Sequence, residues 1–310
     1  MKKVLAIHYS QSGQLVEIIQ SILRPLRDDE HIEITWLELQ TVQPYPFPWP
    51  FFKFFDVFPE SVLMDAPKMK PFSFNPQTRF DLILLAYQVW FLSPSLPVTG
   101  FLKSREAGVM KNVPVITVVN CKDRWLMAQE KVKECIHKAG GKLIDNVVLI
   151  SQGNEITALV STLRWLWTGK KEGFWKLFPP AGVDKKEISR AGRFGRAIAS
   201  GLETENSKTG QPLLKGLGAA RVNPKIIQQE KIGYWNFLLW AKIVKTFGEP
   251  GELRRLPFLA LFMLYLGCLV LISVPFTIFL KIFVNPFRKE SQQREIEYFE
   301  GPSGSSAEKL

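Results

Sequence analysis

Two hydrophobic periods alternate along the chain. Short apolar runs at 4–9, 32–37, 80–86, 113–120 and 146–151 have the length and bounding turn residues of buried parallel strands. Between them lie stretches whose apolar residues recur three and four positions apart. Leu15, Ile18, Ile19, Ile22, Leu23 and Leu26 form one such stripe, with Pro25 marking its end; another covers 124–139 and stops at Gly140 and Gly141. Strand and helix in alternation predict an α/β domain over 1–160, built on a doubly wound, parallel, five-stranded sheet.

Other segments break the alternation. Residues 41–79 are too long for a plain crossover, and Tyr45, Phe47, Trp49, Phe51 and Phe52 are too aromatic for simple disorder. Three readings stay open: a lid, a lipid-touching surface, and a cluster capping one sheet edge. Residues 161–252 set Trp165, Trp167, Trp175 and Phe178 among Lys170, Lys171 and Lys176, then give a helical pattern over 225–247 with Trp235 and Trp240. Rings beside lysines suit a membrane interface, and an ordinary helical subdomain with surface lysines is the alternative. Segment 253–284 has no charged residue from Leu256 to Leu280. That length can cross a bilayer core of about 30 Å, so a transmembrane or a Pro275-broken re-entrant segment is expected. Arg254 and Arg255 at one end and Lys281, Arg288 and Lys289 at the other leave its orientation open. Residues 285–310 read as a disordered polar tail.

Composition narrows the partners. The 310 residues carry a net charge of +11 without any nucleic-acid-binding module, so membrane lipid is the expected anionic partner and nucleic acid is not. Three cysteines and three histidines at unhelpful spacings give neither a disulfide framework nor a metal site. The apolar run at 4–7 is too short for a signal peptide. The expectation is a membrane-associated protein whose front domain faces the cytoplasm.

The sharpest motif is Ser10-Gln11-Ser12-Gly13-Gln14, between the first strand and the first helix. Backbone N–H groups at a helix start attract a phosphate, hydroxyls add donors, and glycine lets the backbone come close. A plain strand–helix turn is the alternative. The loop resembles the flavodoxin phosphate loop, which implies FMN as cofactor. It departs from that pattern at Leu15, where a hydroxyl residue is usual. The third strand continues through Tyr87, Gln88, Val89, Trp90 and Phe91 towards Gly100-Phe101-Leu102. This is similar to the flavin-ring loop of flavodoxin-like quinone reductases, which implies that Gln88, Val89, Trp90 and Phe91 flank the ring. By position, Asn120, Cys121, Lys122 and Asp123 form a third loop there, since ligands of open α/β sheets sit at the carboxyl ends of strands.

Over the whole chain, the opening from Lys3 to Leu15 and the hydrophobic C-terminal segment resemble dialkylresorcinol condensing enzymes of bacterial flexirubin-type pathways. Condensation of acyl thioesters needs an activated cysteine with histidine partners, and no such set is evident. The condensing step is therefore expected of a separate ketosynthase-like partner. This chain would instead aromatise a hydrophobic dialkylcyclohexanedione by hydride transfer to FMN. Tyr87 would hold the diketone, Lys122 or Arg124 would offset charge near the flavin, and Asp123 is the candidate base or a solvated loop carboxylate. His8 ends the first strand and is either a candidate base or a core histidine with a satisfied hydrogen bond. The alternatives are a membrane-anchored NAD(P)H:quinone or FMN reductase and a non-enzymatic electron carrier or scaffold.

Overall fold

The computed structural model describes residues 1–204, 210–283 and 289–304, with side chains described except at position 155 and over 270–291. The apolar runs become β1 (Lys2–His8), β2 (Ile32–Glu38), β3 (Leu82–Trp90), β5 (Pro114–Cys121) and β6 (Lys142–Ile150), all parallel in the order β2-β1-β3-β5-β6. A sixth strand corrects the expected count. Ser93–Pro94 (β4) folds back antiparallel on the end of β3, which makes the sheet six-stranded.

Alternation within each strand feeds two cores, because successive side chains leave opposite faces. Leu5 and Ile7 of β1 face one core and Val4 and Ala6 the other. The first core is covered by α4 (Leu96–Leu102), α5 (Leu126–Lys138) and the start of α9 (Pro224–Thr246). The second is covered by α1 (Gln14–Arg27), α7 (Lys185–Arg190) and α8 (Gly192–Glu203). Both faces of the sheet are thus completed by residues beyond 160. Helix α1 runs two residues past Pro25, which sits in its last turn.

Helix α6 (Glu155–Thr168) leans on the long insertion. Trp49 donates its N–H to Leu166 O at 2.7 Å, and Phe51 meets Trp167 ring to ring. The insertion carries α2 (Phe51–Asp56) and α3 (Phe58–Leu63), which join α9 and the first turns of α10 (Leu256–Phe283) in a third, aromatic core. Arg255 locks this layer. Its buried guanidinium bonds both carboxylate oxygens of Glu60, at 3.2 and 3.1 Å, and Asp56 O at 3.0 Å.

Strand β6 begins four residues earlier than the expected 146. Asp145 interrupts the apolar pattern, yet it is fully buried and accepts from Leu213 N–H, Leu214 N–H and Ser303 Oγ. Val148 N–H donates to Ala219 O and Asn146 N–H to Ser303 Oγ, so later chain closes the sheet at this edge. The expected disordered tail contains α11 (Lys289–Glu300), held by buried Phe299 and by the Glu295–Lys231 ion pair.

The expected membrane segment at 253–284 falls partly outside the residues whose side chains are described. Among the described residues no helix is long and apolar enough to cross a membrane.

Helices α1 and α8 cross closely at Gly195, where an added Cβ would lie 1.9 Å from Ile22 O. A Gly195→Ala variant must push the helices apart and strip contacts from the second core. The expected loss is about 2–4 kcal/mol in denaturant unfolding, measured against Gly108→Ala, where an added Cβ meets open space and φ is ordinary.

Candidate functional site

The candidate site lies where β1, β3 and β5 end. Gly13 caps α1 in the left-handed region at φ +83° and turns the chain sharply out of β1. The N–H groups of Ser12, Gly13, Gln14 and Leu15 meet no acceptor among the described residues. Ser10 Oγ is shut away from solvent and has no partner. A run of unmatched donors at a helix start suits a phosphate, which supplies several acceptor oxygens at once.

The neighbouring side chains hold this loop still. Gln14 is buried and grips Val183 through both its carbonyl and its amide, so only its backbone N–H faces the site. Leu15 is fully buried in the second core, which is why no hydroxyl stands there. Gln11 donates its N–H to Gln88 Oε1 at 3.3 Å and its side-chain amide to Pro46 O at 2.8 Å. The insertion is thereby tied down over the loop, in the position of a lid.

The loop after β3, expected to flank a flavin ring, is a two-residue hairpin. Trp90 pairs with Ser93, and Phe91 and Leu92 between them hold φ at +48° and +59°. Bulky residues in that region cost roughly 1–2 kcal/mol each. Packing holds them there, with Phe91 set against Phe54, Phe58 and Phe237, and Lys131 donating to Ser93 Oγ and Val62 O at 2.7 Å each. Trp90 meets Tyr9, Tyr45 and Trp49 edge to face, with centroids 5.1–5.9 Å away. Val89 instead packs on the first core.

Strand β5 ends in Asn120 and Cys121, both buried, and the loop after it carries Lys122 and Asp123, joined at 2.7 Å. Burial, with Asp123 adding to it, pushes the Cys121 thiol well above its usual range. Tyr87, expected to hold substrate, is fully buried and donates to Gln129 Oε1 at 2.7 Å, which leaves its hydroxyl spent within the first core. His8 is a buried core residue, its Nδ1 3.1 Å from Leu37 O and its ring against Trp36.

Glu230 on α9 was absent from the sequence reading. It is fully buried, and its Oε1 accepts Met127 N–H at 2.8 Å in the first turn of α5. The signal was present: Ile226, Ile227 and Glu230 share one helical face, so a charge was written into an apolar stripe.

The sheet order answers the question of fold. It is flavodoxin-like. No protein-family model matches the sequence, and no curated protein matches it either. Among solved structures, a flavoprotein from Lactobacillus acidophilus in complex with FMN is 18% identical, over 48% of this chain and 93% of its own, with a TM-score of 0.39. A flavodoxin from the domain Archaea is 10% identical over 66% and 99%, with a TM-score of 0.37. General stress protein 14 from Treponema denticola, in complex with FMN, is 7% identical over 65% and 99%, with a TM-score of 0.33. Likenesses this distant carry no argument about a ligand, and the fold rests on the strand order.

Two buried groups give the stability opposite pH slopes. Burial lowers His8 to about 4 from 6.5, so the unfolded chain takes up a proton first and stability falls as pH drops from 6.5 towards 4. Burial raises Glu230 to about 7 from 4.5, so the unfolded chain ionises first and stability falls as pH rises from 4.5 towards 7. Each limb amounts to at most about 3 kcal/mol. Denaturant titrations across pH 4–8 should show the acid limb flattened in His8→Gln and the neutral limb flattened in Glu230→Gln. A variant that keeps the parent's slope removes that residue from the account.

Proposed function

We propose that this chain binds FMN and acts as an oxidoreductase on a hydrophobic small molecule, aromatising a dialkylcyclohexanedione to a resorcinol. The observation that carries the flavin reading is the unmatched donor set, four backbone N–H groups and a sealed Ser10 hydroxyl gathered at the start of α1. Ser10, Ser12, Gly13 and the first turn of α1 would hold the phosphate. Gln88, Trp90 and the loop from Asn120 to Asp123 would border the ring. When bound, FMN supplies the acceptor for the hydride that the dione loses.

The protein's own share is placement and proton handling. Trp90, Tyr45 and Trp49 exclude water and offer apolar edges to a substrate ring. Asp123 is the carboxylate of the third loop and would take the ring proton, with Lys122 Nζ 2.7 Å from its Oδ2 fixing it in place. Tautomerisation then completes the aromatic ring. The resemblance to the dialkylresorcinol family and the aromatic approach support this substrate class.

Carbon–carbon condensation does not suit these residues. A thiolate nucleophile needs a lowered pKa and an imidazole partner. The Cys121 thiol is raised by burial, and His8 bonds the backbone of β2. That step belongs to a ketosynthase-like partner.

The protein purified in mild detergent should be yellow, and an added dialkylcyclohexanedione should bleach it anaerobically as resorcinol forms. Bleaching by NAD(P)H alone, with no reaction of the dione, replaces this reading with a quinone reductase. Ser12→Asp sets a carboxylate against the phosphate and should weaken FMN binding about 100-fold in fluorescence titration. Because an acidic residue is favourable near a helix start, the same variant should melt no earlier than the parent without flavin. Unchanged FMN binding in Ser12→Asp removes the phosphate site.

A further inference from the structure

Helices α9 and α10 meet through Phe237, Trp240, Phe262 and Tyr265, and each also carries exposed apolar residues. On α9, Ile232, Trp235 and Leu239 are 50%, 67% and 58% exposed and share one stripe. On α10, Leu261 and Leu264 are 52% and 65% exposed. The inward faces are tightly engaged: Phe237 and Trp240 of α9 meet Phe262 at 5.9 and 5.8 Å, and Trp240 meets Tyr265 at 5.2 Å. The outward residues therefore stand on a rigid base, and nothing among the described residues covers them.

We propose that this two-helix face docks on an anionic lipid bilayer. Charge and composition select that occupant over a protein. Exposed Lys225 and Lys242 fall on the α9 stripe at either end of its apolar centre, where lipid phosphates would meet them, and the whole chain carries +11. A protein interface keeps a polar rim around its apolar core, but α10 continues as helix to Phe283 with no charged residue from Leu256 to Leu280. The indole of Trp235, amphipathic and central, is the side chain that favours a lipid–water boundary.

A second projection has the same chemistry. Phe174 and Phe178 stack at 4.5 Å and close a turn, at whose tip Trp175 and Leu177 are 84% and 67% exposed around Lys176. Trp175 and Lys176 hold φ at +49° and +53°, so the turn keeps the indole turned outward at a conformational cost.

Docking here would also bring lipid close to the candidate site. Phe262 stacks on Phe58 at 3.9 Å, and Phe58 touches Phe91 of the hairpin after β3 at 5.3 Å. Two aromatic contacts thus join the inner side of α10 to the loop that would border the ring. The docking face itself stands on its own observations and does not need the flavin reading.

Flotation of the full chain with vesicles tests the proposal, comparing phosphatidylcholine alone with an equimolar phosphatidylcholine–phosphatidylglycerol mixture. The parent should float with the mixture and lose affinity as salt is raised. Lys225→Gln with Lys242→Gln should weaken binding to the mixture about thirtyfold and leave binding to phosphatidylcholine unchanged, each lysine contributing near 1 kcal/mol. Trp235→Gln with Leu239→Gln should weaken binding to both vesicles at least tenfold while the near-ultraviolet dichroism stays otherwise native. Parent-like flotation of this second pair overturns the proposal. So does a dimer, seen by sedimentation without vesicles, that the second pair dissociates, because the face then belongs to another copy of the chain.

Discussion

Gly13 carries the chain from β1 into α1 at φ +83°, and the arrangement of the site follows from that single turn. It aims a helix start with four unmatched N–H groups at the carboxyl edge of the sheet. Free donors of this kind suit an anion only if the loop keeps its shape, which the neighbouring side chains see to. Gln14 does so by gripping Val183, Leu15 by entering the core, and Gln11 by tying the loop to β3 and to the insertion. None of these side chains needs to touch a ligand for the loop to keep its shape.

The hairpin after β3 stores conformational cost in a different way. Phe91 and Leu92 occupy a region where glycine or asparagine is usual, and neighbouring aromatic rings hold them there. The rings against Phe91 come from α2, α3 and α9, so the insertion and a helix far along the chain meet there. The geometry of the hairpin after β3 therefore depends on how the insertion and α9 pack. The buried Arg255–Glu60 contact pins the start of α10 to α3, whose Phe58 touches Phe91.

How much of this could be read from the sequence depended on the range of the forces involved. The parallel strands and the sharp turn from β1 into α1 were legible because they are written in local pattern: apolar runs, then serines and a glycine. The hairpin was not, because nothing local favours a turn at Phe91-Leu92; the packing of distant rings imposes it. The start of β6 was missed for a related reason, since Asp145 reads as a surface residue until Leu213, Leu214 and Ser303 are brought to it. The cover of α1 by α8 rests on one missing side chain at Gly195, which the periodicity cannot distinguish from any other glycine. Glu230 was visible as a charge in an apolar stripe, but its role at the start of α5 emerges only when α9 packs.

The closure of β6 by Ala219 and Ser303 also bears on biosynthesis. As β6 leaves the ribosome its outer hydrogen-bonding groups have no partners, and the residues that seal them are not yet made. At ordinary elongation speeds the wait until Ser303 emerges is on the order of 10 s. A bare strand edge is a template for joining nascent chains together. Newly made protein is consequently most exposed to aggregation late in translation, after the sheet has formed, and a chaperone that holds this edge would matter more than one acting on the first strands.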